Sequence, residues 1–193
     1  MGYGTAVREA RAVYRRTQDD VARAVHISDS VLSDIERGKR DAQPDVMKAL
    51  VTELDDPRLL IETYLVATGG IGSPYLDAAD RHLMALKARV RAEFQDVLDI
   101  FDRAQRILIN IQGPKGPTEE QLAKARKVVR ELIEAETIAV NTVAEYCRVC
   151  GFSVRQMYTE HHRDLVESGD LRKEKSAPRR AHRKTFNQSI ARE

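Results

Sequence analysis

Tryptophan is absent from this chain and cysteine occurs only twice in 193 residues. Two cysteines cannot build the disulfide framework of a small secreted scaffold. Glycine (ten) and proline (six) are sparse, and no run of strand-forming residues punctuated by turns occurs, which argues against a sandwich or barrel. No apolar stretch approaches the ~20 residues that cross a bilayer, and the N-terminus lacks the apolar run of a secretory signal, so no membrane partner is expected. Also missing are a phosphate-cradling glycine loop, paired carboxylates in apolar surroundings and a nucleophile beside a base. Neither an enzymatic activity nor a cofactor is expected.

What remains is a chain with 42% hydrophobic and 32% charged residues, enough to build helical cores. An all-α protein is predicted. The formal charge of +2 is unevenly placed. Residues 1–70 hold ten Lys/Arg against twelve Asp/Glu, residues 71–170 fourteen against sixteen, and residues 171–193 eight against two. The basic surplus therefore lies in the tail.

The most informative stretch runs from Thr17 to Arg40. Thr17 suits an N-cap, and Asp20 sits three residues on, where its carboxylate can reach back. Val21, Ala22 and Val25 then recur at helical spacing. His26 falls where the chain must reverse, a left-handed position that His tolerates better than most residues. Ile27 plugs the core, Ser28 caps a second helix, and Asp29 suits that helix's positive end. Val31, Leu32 and Ile35 face inward, while Asp29, Ser30, Ser33, Asp34 and Arg37 face outward. Gly38 ends the helix before Lys39 and Arg40. Two short amphipathic helices joined by a tight turn are how a recognition helix is laid in a DNA major groove.

Thr17–Ala22, Ile27-Ser28 and Ile35–Arg40 match the pattern of the Cro/repressor (XRE) helix-turn-helix family, which residues 5–67 resemble. The resemblance implies a bundle of five helices that binds double-stranded DNA at specific sequences in a bacterial-type cytoplasm. The flanks agree: a first helix near Thr5–Tyr14, a fourth starting near Gln43 with Pro44 in its first turn, and a fifth at Asp56-Pro57, a cap followed by proline. By the resemblance, Gln18 would touch phosphate, and Asp29, Ser30, Ser33 and Asp34 would meet base edges. Arg37, Lys39 and Arg40, helped by Arg15 and Arg16, would hold the backbone. Phosphate contacts position such a module and base contacts specify its site. The chain departs from the pattern in its acidic Asp29 and Asp34: aspartate can accept from cytosine N4 but repels phosphate. An alternative follows, in which this acidic face binds another protein and the chain is an interaction adaptor.

Residues 69–75 read as a linker after a 1–68 domain. Beyond it, Leu83, Val90, Phe94, Val97, Phe101, Ala104, Leu108 and Ile111 mark a heptad seam on a helix predicted over about 76–111. Residues 112–117 break it, and Thr118 with Gln121 forms a capping box for the next helix. On that helix Leu122, Ala125, Val129, Leu132, Ala139, Val143 and Tyr146 continue a similar seam. Residues 76–150 are thus predicted to be a long antiparallel hairpin of coiled-coil type. Ile100, Ile107, Val128, Ile133 and Val140 widen its apolar faces, which predicts homodimerisation; symmetry of this kind suits a repressor reading two half-sites.

Near the C-terminus, Asn141-Thr142 with Glu145 could cap a new segment. Gly151 then marks a turn, Phe152 a plug and Ser153 a cap for a short helix over 151–170. The run 142–162 is similar, at low specificity, to the helix-turn-helix of TetR-like and AraC-like regulators. That resemblance would make Arg155, Gln156 and Thr159 a second set of DNA readers; the plainer alternative is a helix that packs onto the hairpin end. Cys147 and Cys150 have C-x-x-C spacing with His161 and His162 downstream, but four converging ligands are not evident, and the pair reads as core rather than metal. The basic residues 171–193 are predicted to be a flexible tail able to grip phosphates.

Overall fold

Short-range caps set the helix boundaries at the N-terminal end. The computed structural model describes residues 2–108 and 116–172, which fold into α-helices without a strand among the described residues. Helix α1 covers Tyr3–Val13, α2 Gln18–Ala24, α3 Asp29–Glu36, α4 Pro44–Leu54 and α5 Pro57–Ala67. At the start of α2 the Asp20 N–H donates to Thr17 Oγ1 and the Thr17 N–H to Asp20 Oδ2, both at 3.1 Å. Pro44 opens α4, where a missing N–H costs nothing. Asp56 caps α5 by accepting the Leu59 N–H at 2.9 Å. The apolar stripes of the five helices meet around Val7, Val21, Leu32, Leu50 and Leu59, all fully buried. Each such leucine contributes about 1.5–3 kcal/mol of hydrophobic stabilisation.

Close packing at one point needs a residue that sequence reasoning passed over. A Cβ on Gly4 of α1 would lie 2.1 Å from the Ile35 carbonyl oxygen. Only glycine lets the start of α1 approach the end of α3 so nearly.

The segment after α5 is anchored to the helices that follow it. Helix α6 covers Leu83–Leu108 and α7 Glu119–Cys150. Asn141 of α7, buried, accepts the Leu76 N–H and donates to the carbonyls of Pro74 and Thr137, each at 2.8 Å. Ser73 is buried nearby, with its hydroxyl 3.4 Å from that of Thr137. Arg58 of α5 stacks on the Tyr75 ring at 5.0 Å and pairs with Glu9 and Asp77. These contacts correct two expectations. The helix predicted from residue 76 starts at Leu83, because residues 73–76 are spent on Asn141 and an Asx turn at Asp80 accepts the His82 N–H at 2.9 Å. Asn141 begins no new segment: α7 runs unbroken past it, and Glu145 pairs with Arg148.

Helices α6 and α7 pack together over their length, burying Leu86, Val97 and Ala104 on one and Val128, Ala135, Ile138 and Ala144 on the other. Helix α6 alone rises ~39 Å. The ten residues between the helices reach at most ~35 Å, so the chain cannot return to start a parallel partner, and the pair is antiparallel. The seam agrees with the expected one in part: Val90, Val97 and Ala104 of the predicted α6 row face inward, whereas the rest of the inward packing is rotated from the prediction. Leu86, Val90, Glu93, Val97, Ile100 and Ala104 form the inward row of α6, while Phe94 and Phe101 are about half exposed. On α7 the inward row is Val128, Glu131, Ala135 and Ile138, and Leu122, Val129, Leu132, Val143 and Tyr146 are exposed. Exposed apolar residues run beside the inward row at the same spacing on each helix, and small Ala104 and Ala135 within that row let the backbones approach. The predicted seam positions Leu108 and Ile111, the widening residue Ile107, the break at 112–115 and the tail beyond 172 lie outside the residues whose side chains are described.

By compactness the chain divides after Tyr158. The first unit holds α1 to α7 and the opening of α8, which covers Val154–Ser168. Gly151, left-handed at φ 70°, ends α7. In the second unit α8 closes at Gly169, with the Leu171 N–H donating to the Leu165 carbonyl at 2.9 Å.

Candidate nucleic-acid interface

The turn between α2 and α3 is closed by its own backbone. His26 adopts φ 60°, and the Ile27 N–H donates to the Ala22 carbonyl at 2.9 Å. Ala22 is fully buried at the crossing, and Ile27 packs on the core. The expected left-handed reversal at His26 is thus present. Ser28 Oγ accepts the Val31 N–H at 3.3 Å and lies 2.9 Å from Ser30 Oγ, which orients the first turn of α3.

Burying Leu32, Ile35 and Glu36 fixes the rotation of α3. At 100° per residue, Asp29, Ser33, Arg37, Ser30 and Asp34 then share an outward arc of about 140°. Asp29 and Ser30 are exposed, Ser33 and Asp34 half-buried, and Arg37, Lys39 and Arg40 exposed around the helix end at Gly38. Hydroxyls and carboxylates thus precede three cations along one surface. Asp34 does not stand as a bare negative charge: Arg37 Nη2 lies 3.0 Å from its Oδ1. Asp29 sits at the positive end of the helix dipole. The two acids are therefore locally compensated, although the domain as a whole is not basic.

Gln18 is placed differently from the other expected phosphate contacts. It is half-buried, and its Nε2 donates to Glu36 Oε2 at 2.7 Å. Glu36 also receives Arg11 in a bidentate pair, Nε to Oε1 at 2.7 Å and Nη2 to Oε2 at 3.0 Å. A third guanidinium nitrogen donates to the Arg16 carbonyl at 2.9 Å. This buried carboxylate ties α1, the start of α2 and the end of α3 together. Its hydrogen bond raises the Arg11 pKa beyond its already high ordinary value. Arg11 and Glu36 were not singled out from sequence; the signal was a glutamate inside the Ile35–Arg40 motif. Asp20 is held below the ordinary aspartate value by its hydrogen bond to the Thr17 side chain. Of the suggested helpers, Arg16 pairs with Glu53 at 3.0 Å, and Arg15 is exposed with φ 52°.

The C-terminal corner reproduces the backbone of this turn. The Phe152 N–H donates to the Cys147 carbonyl at 2.9 Å, and Ser153 Oγ accepts the Gln156 N–H at 3.0 Å. Its packing differs. Phe152, expected as a plug, is 53% exposed, whereas Val154 is buried. The Arg155 N–H donates to Asp55 Oδ1 at 3.1 Å, fastening the start of α8 to the corner between α4 and α5. Arg155 and Gln156 are exposed in that first turn, and Thr159 falls in the second unit. Cys147 is buried and Cys150 exposed, both as free thiols, and no cluster of three metal-ligating side chains occurs among the described residues. Burial pushes the Cys147 thiol up, away from the thiolate that binds metal or reacts. No described helix is long and apolar enough to cross a membrane.

Comparison with known proteins agrees with this geometry. Residues 7–56 match the helix-turn-helix family model, which supports an XRE-type helix-turn-helix in this segment. No curated protein and no solved structure matches the chain.

Proposed function

We propose that this chain, which carries an XRE-type helix-turn-helix at residues 7–56, is a non-enzymatic transcriptional repressor that reads two operator half-sites as a homodimer joined through α6 and α7. One observation carries the reading. The exposed arc of α3 presents Ser30, Ser33 and the Arg37-paired Asp34 beside the exposed cations Lys39 and Arg40. In this reading Ser30, Ser33, Asp29 and Asp34 meet base edges, where serine hydroxyls serve as donors or acceptors and carboxylates accept from cytosine. Arg37, Lys39 and Arg40 hold phosphate. Gln18 contributes through Glu36, by steadying the end of the recognition helix. A repressor acts by occupying its operator, which needs no chemistry beyond this contact.

The alternative of a protein-binding adaptor rests on the acidic balance of residues 1–70. The Asp34–Arg37 pair weakens it, because it offsets one of the two acids in the arc. Selection of bound duplexes from a random library, followed by fluorescence anisotropy, tests the proposal. Enrichment of a paired motif is expected. Replacing Arg37, Lys39 and Arg40 together by alanine should weaken binding to all sequences and reduce the salt slope by up to about three. Replacing Ser30 and Ser33 should lower the preference for the selected site over random DNA. An unenriched library, or equal affinity for selected and random duplexes, refutes it.

A further inference from the structure

The antiparallel pair of α6 and α7 has two broad sides, and they are not alike. Taking Val97 as the direction in which α6 faces α7, each residue advances 100°. Phe101, Phe94 and Leu98 then lie about 40°, 60° and 100° to one hand of the seam. On α7, measured from Ala135, Leu132, Val143 and Val129 lie about 60°, 80° and 120° to the same hand. In two antiparallel helices that face each other, the same hand means the same broad side. These six residues are between 42% and 58% exposed, so apolar side chains lie open on both helices, over residues 94–101 on α6 and 129–143 on α7, with Lys87, Arg91, Gln105 and Glu136 among them on the same hand.

The other side is already used. Thr137 and Asn141 fall about 160° and 120° to the opposite hand, and residues 73–76 are bound there through the Asn141 amide. The intramolecular seam and the linker therefore leave one apolar side with no use inside the described chain.

We propose that this open side docks on the same side of a second copy of the chain, closing a four-helix bundle; the proposal rests on the homodimer reading above and names its surface. Extent supports a second copy as the occupant. From Leu122 to Tyr146 this side of α7 rises ~36 Å. Two helices 8–10 Å apart present a width of roughly 20 Å, giving roughly 700 Å² per copy. A standard interface takes about 800 Å² per partner, and heptad-spaced apolar side chains on both helices match the knobs-into-holes geometry of bundles. The chain's own residues beyond Leu171 are a poor filler, with eight basic side chains and few large apolar ones. A face that meets its own copy is two-fold symmetric, so each substitution in it acts twice.

Sedimentation of the full-length protein across 0.1–100 µM (~three decades, the span over which affinity is read) tests this. The parent should run at about twice the chain mass. Leu132→Glu and Phe101→Glu should each raise the dimer dissociation constant by roughly 100-fold or more. Both side chains are exposed in the single copy, so helical content and melting of the monomer should persist. Arg130→Glu, exposed on the opposite hand, should leave the dimer intact. A parent that stays monomeric throughout, or a dimer that Leu132→Glu and Phe101→Glu leave unchanged, overturns the proposal. DNA reading fails separately: the triple variant of Arg37, Lys39 and Arg40 should lose duplex binding while remaining dimeric, and Leu132→Glu should still bind a single half-site weakly.

Discussion

Replacing Glu36 by leucine leaves Arg11 and Gln18 without the acceptor they share. The Glu36 side chain is 2% exposed and that of Arg11 18%. Removing one partner of a buried pair costs about 3–5 kcal/mol, because the other charge stays desolvated. Arg11 keeps its bond to the Arg16 carbonyl and has some access to water, so the loss should fall nearer 2–4 kcal/mol. That is a large share of the ~5–15 kcal/mol a domain possesses. For a chain of this size it should lower the melting temperature by roughly 5–15 °C. The double variant Arg11→Met with Glu36→Leu removes both charges and places apolar groups of similar volume there, which should recover much of the loss. Urea unfolding followed by circular dichroism, run on the parent, both single variants and the double variant, yields the coupling free energy. A coupling of about 1.5 kcal/mol or more is expected. If Glu36→Leu unfolds within about 0.5 kcal/mol of the parent, or the cycle closes with no coupling, the carboxylate does not unite the three helices as argued.

Gly4→Ala sets helix propensity against sterics. Alanine should gain up to about 1 kcal/mol in α1, but its Cβ would overlap the Ile35 carbonyl, and overpacking costs about 1–3 kcal/mol; a lower melting temperature is expected, and a rise would refute the close approach. His26→Gly should raise stability by about 0.5–1 kcal/mol in the same assay, since a non-glycine residue at φ 60° is strained; unchanged or lower stability would show that His26 makes a compensating contact. Burial pushes the Asp56 carboxyl above its ordinary value, outweighing the hydrogen bond from Leu59. The unfolded chain then ionises first, so this group's contribution to folding falls as pH rises from about 3.9 to the raised folded value, and is level above it. Asp56→Asn keeps a capping oxygen and cannot ionise, so it should equal or exceed the parent at pH 7 and lose that advantage below about pH 3.9. Asp56→Ala should cost about 1 kcal/mol, with the cost larger below about pH 3.9 than at pH 7, because only the parent carries the titration. Urea midpoints from pH 3 to 7 (about the range bracketing carboxyl titration) decide it, and an Asp56→Asn protein clearly weaker than the parent at pH 7 would contradict the burial argument.

Interactions that close within a few residues were legible from the order of the amino acids. The Thr17–Asp20 and Thr118–Gln121 boxes, the Ser28 cap, the Asp56-Pro57 start and the reversal at His26 all stand where the residues predicted. So does the rotation of α3, because Leu32 and Ile35 leave one inward side and an outward arc of polar residues. Contacts between distant segments left no such trace. Nothing about Gln18 alone says that it leans on Glu36, and nothing about Asn141 alone says that it holds Leu76, 65 residues away. The hairpin shows the division most clearly. Heptad spacing determined that two long helices carry apolar stripes. Apolar residues flank the inward row at the same periodicity, however, and pattern cannot rank Ile100 against Phe101 or Val128 against Val129. Tertiary structure made the choice: small Ala104 and Ala135 let one pair of stripes meet, and the linker's claim on Asn141 occupied the far side. Of the seam read from sequence, Val90, Val97 and Ala104 stayed inside, and Phe94, Phe101, Leu132 and Val143 were left facing outward.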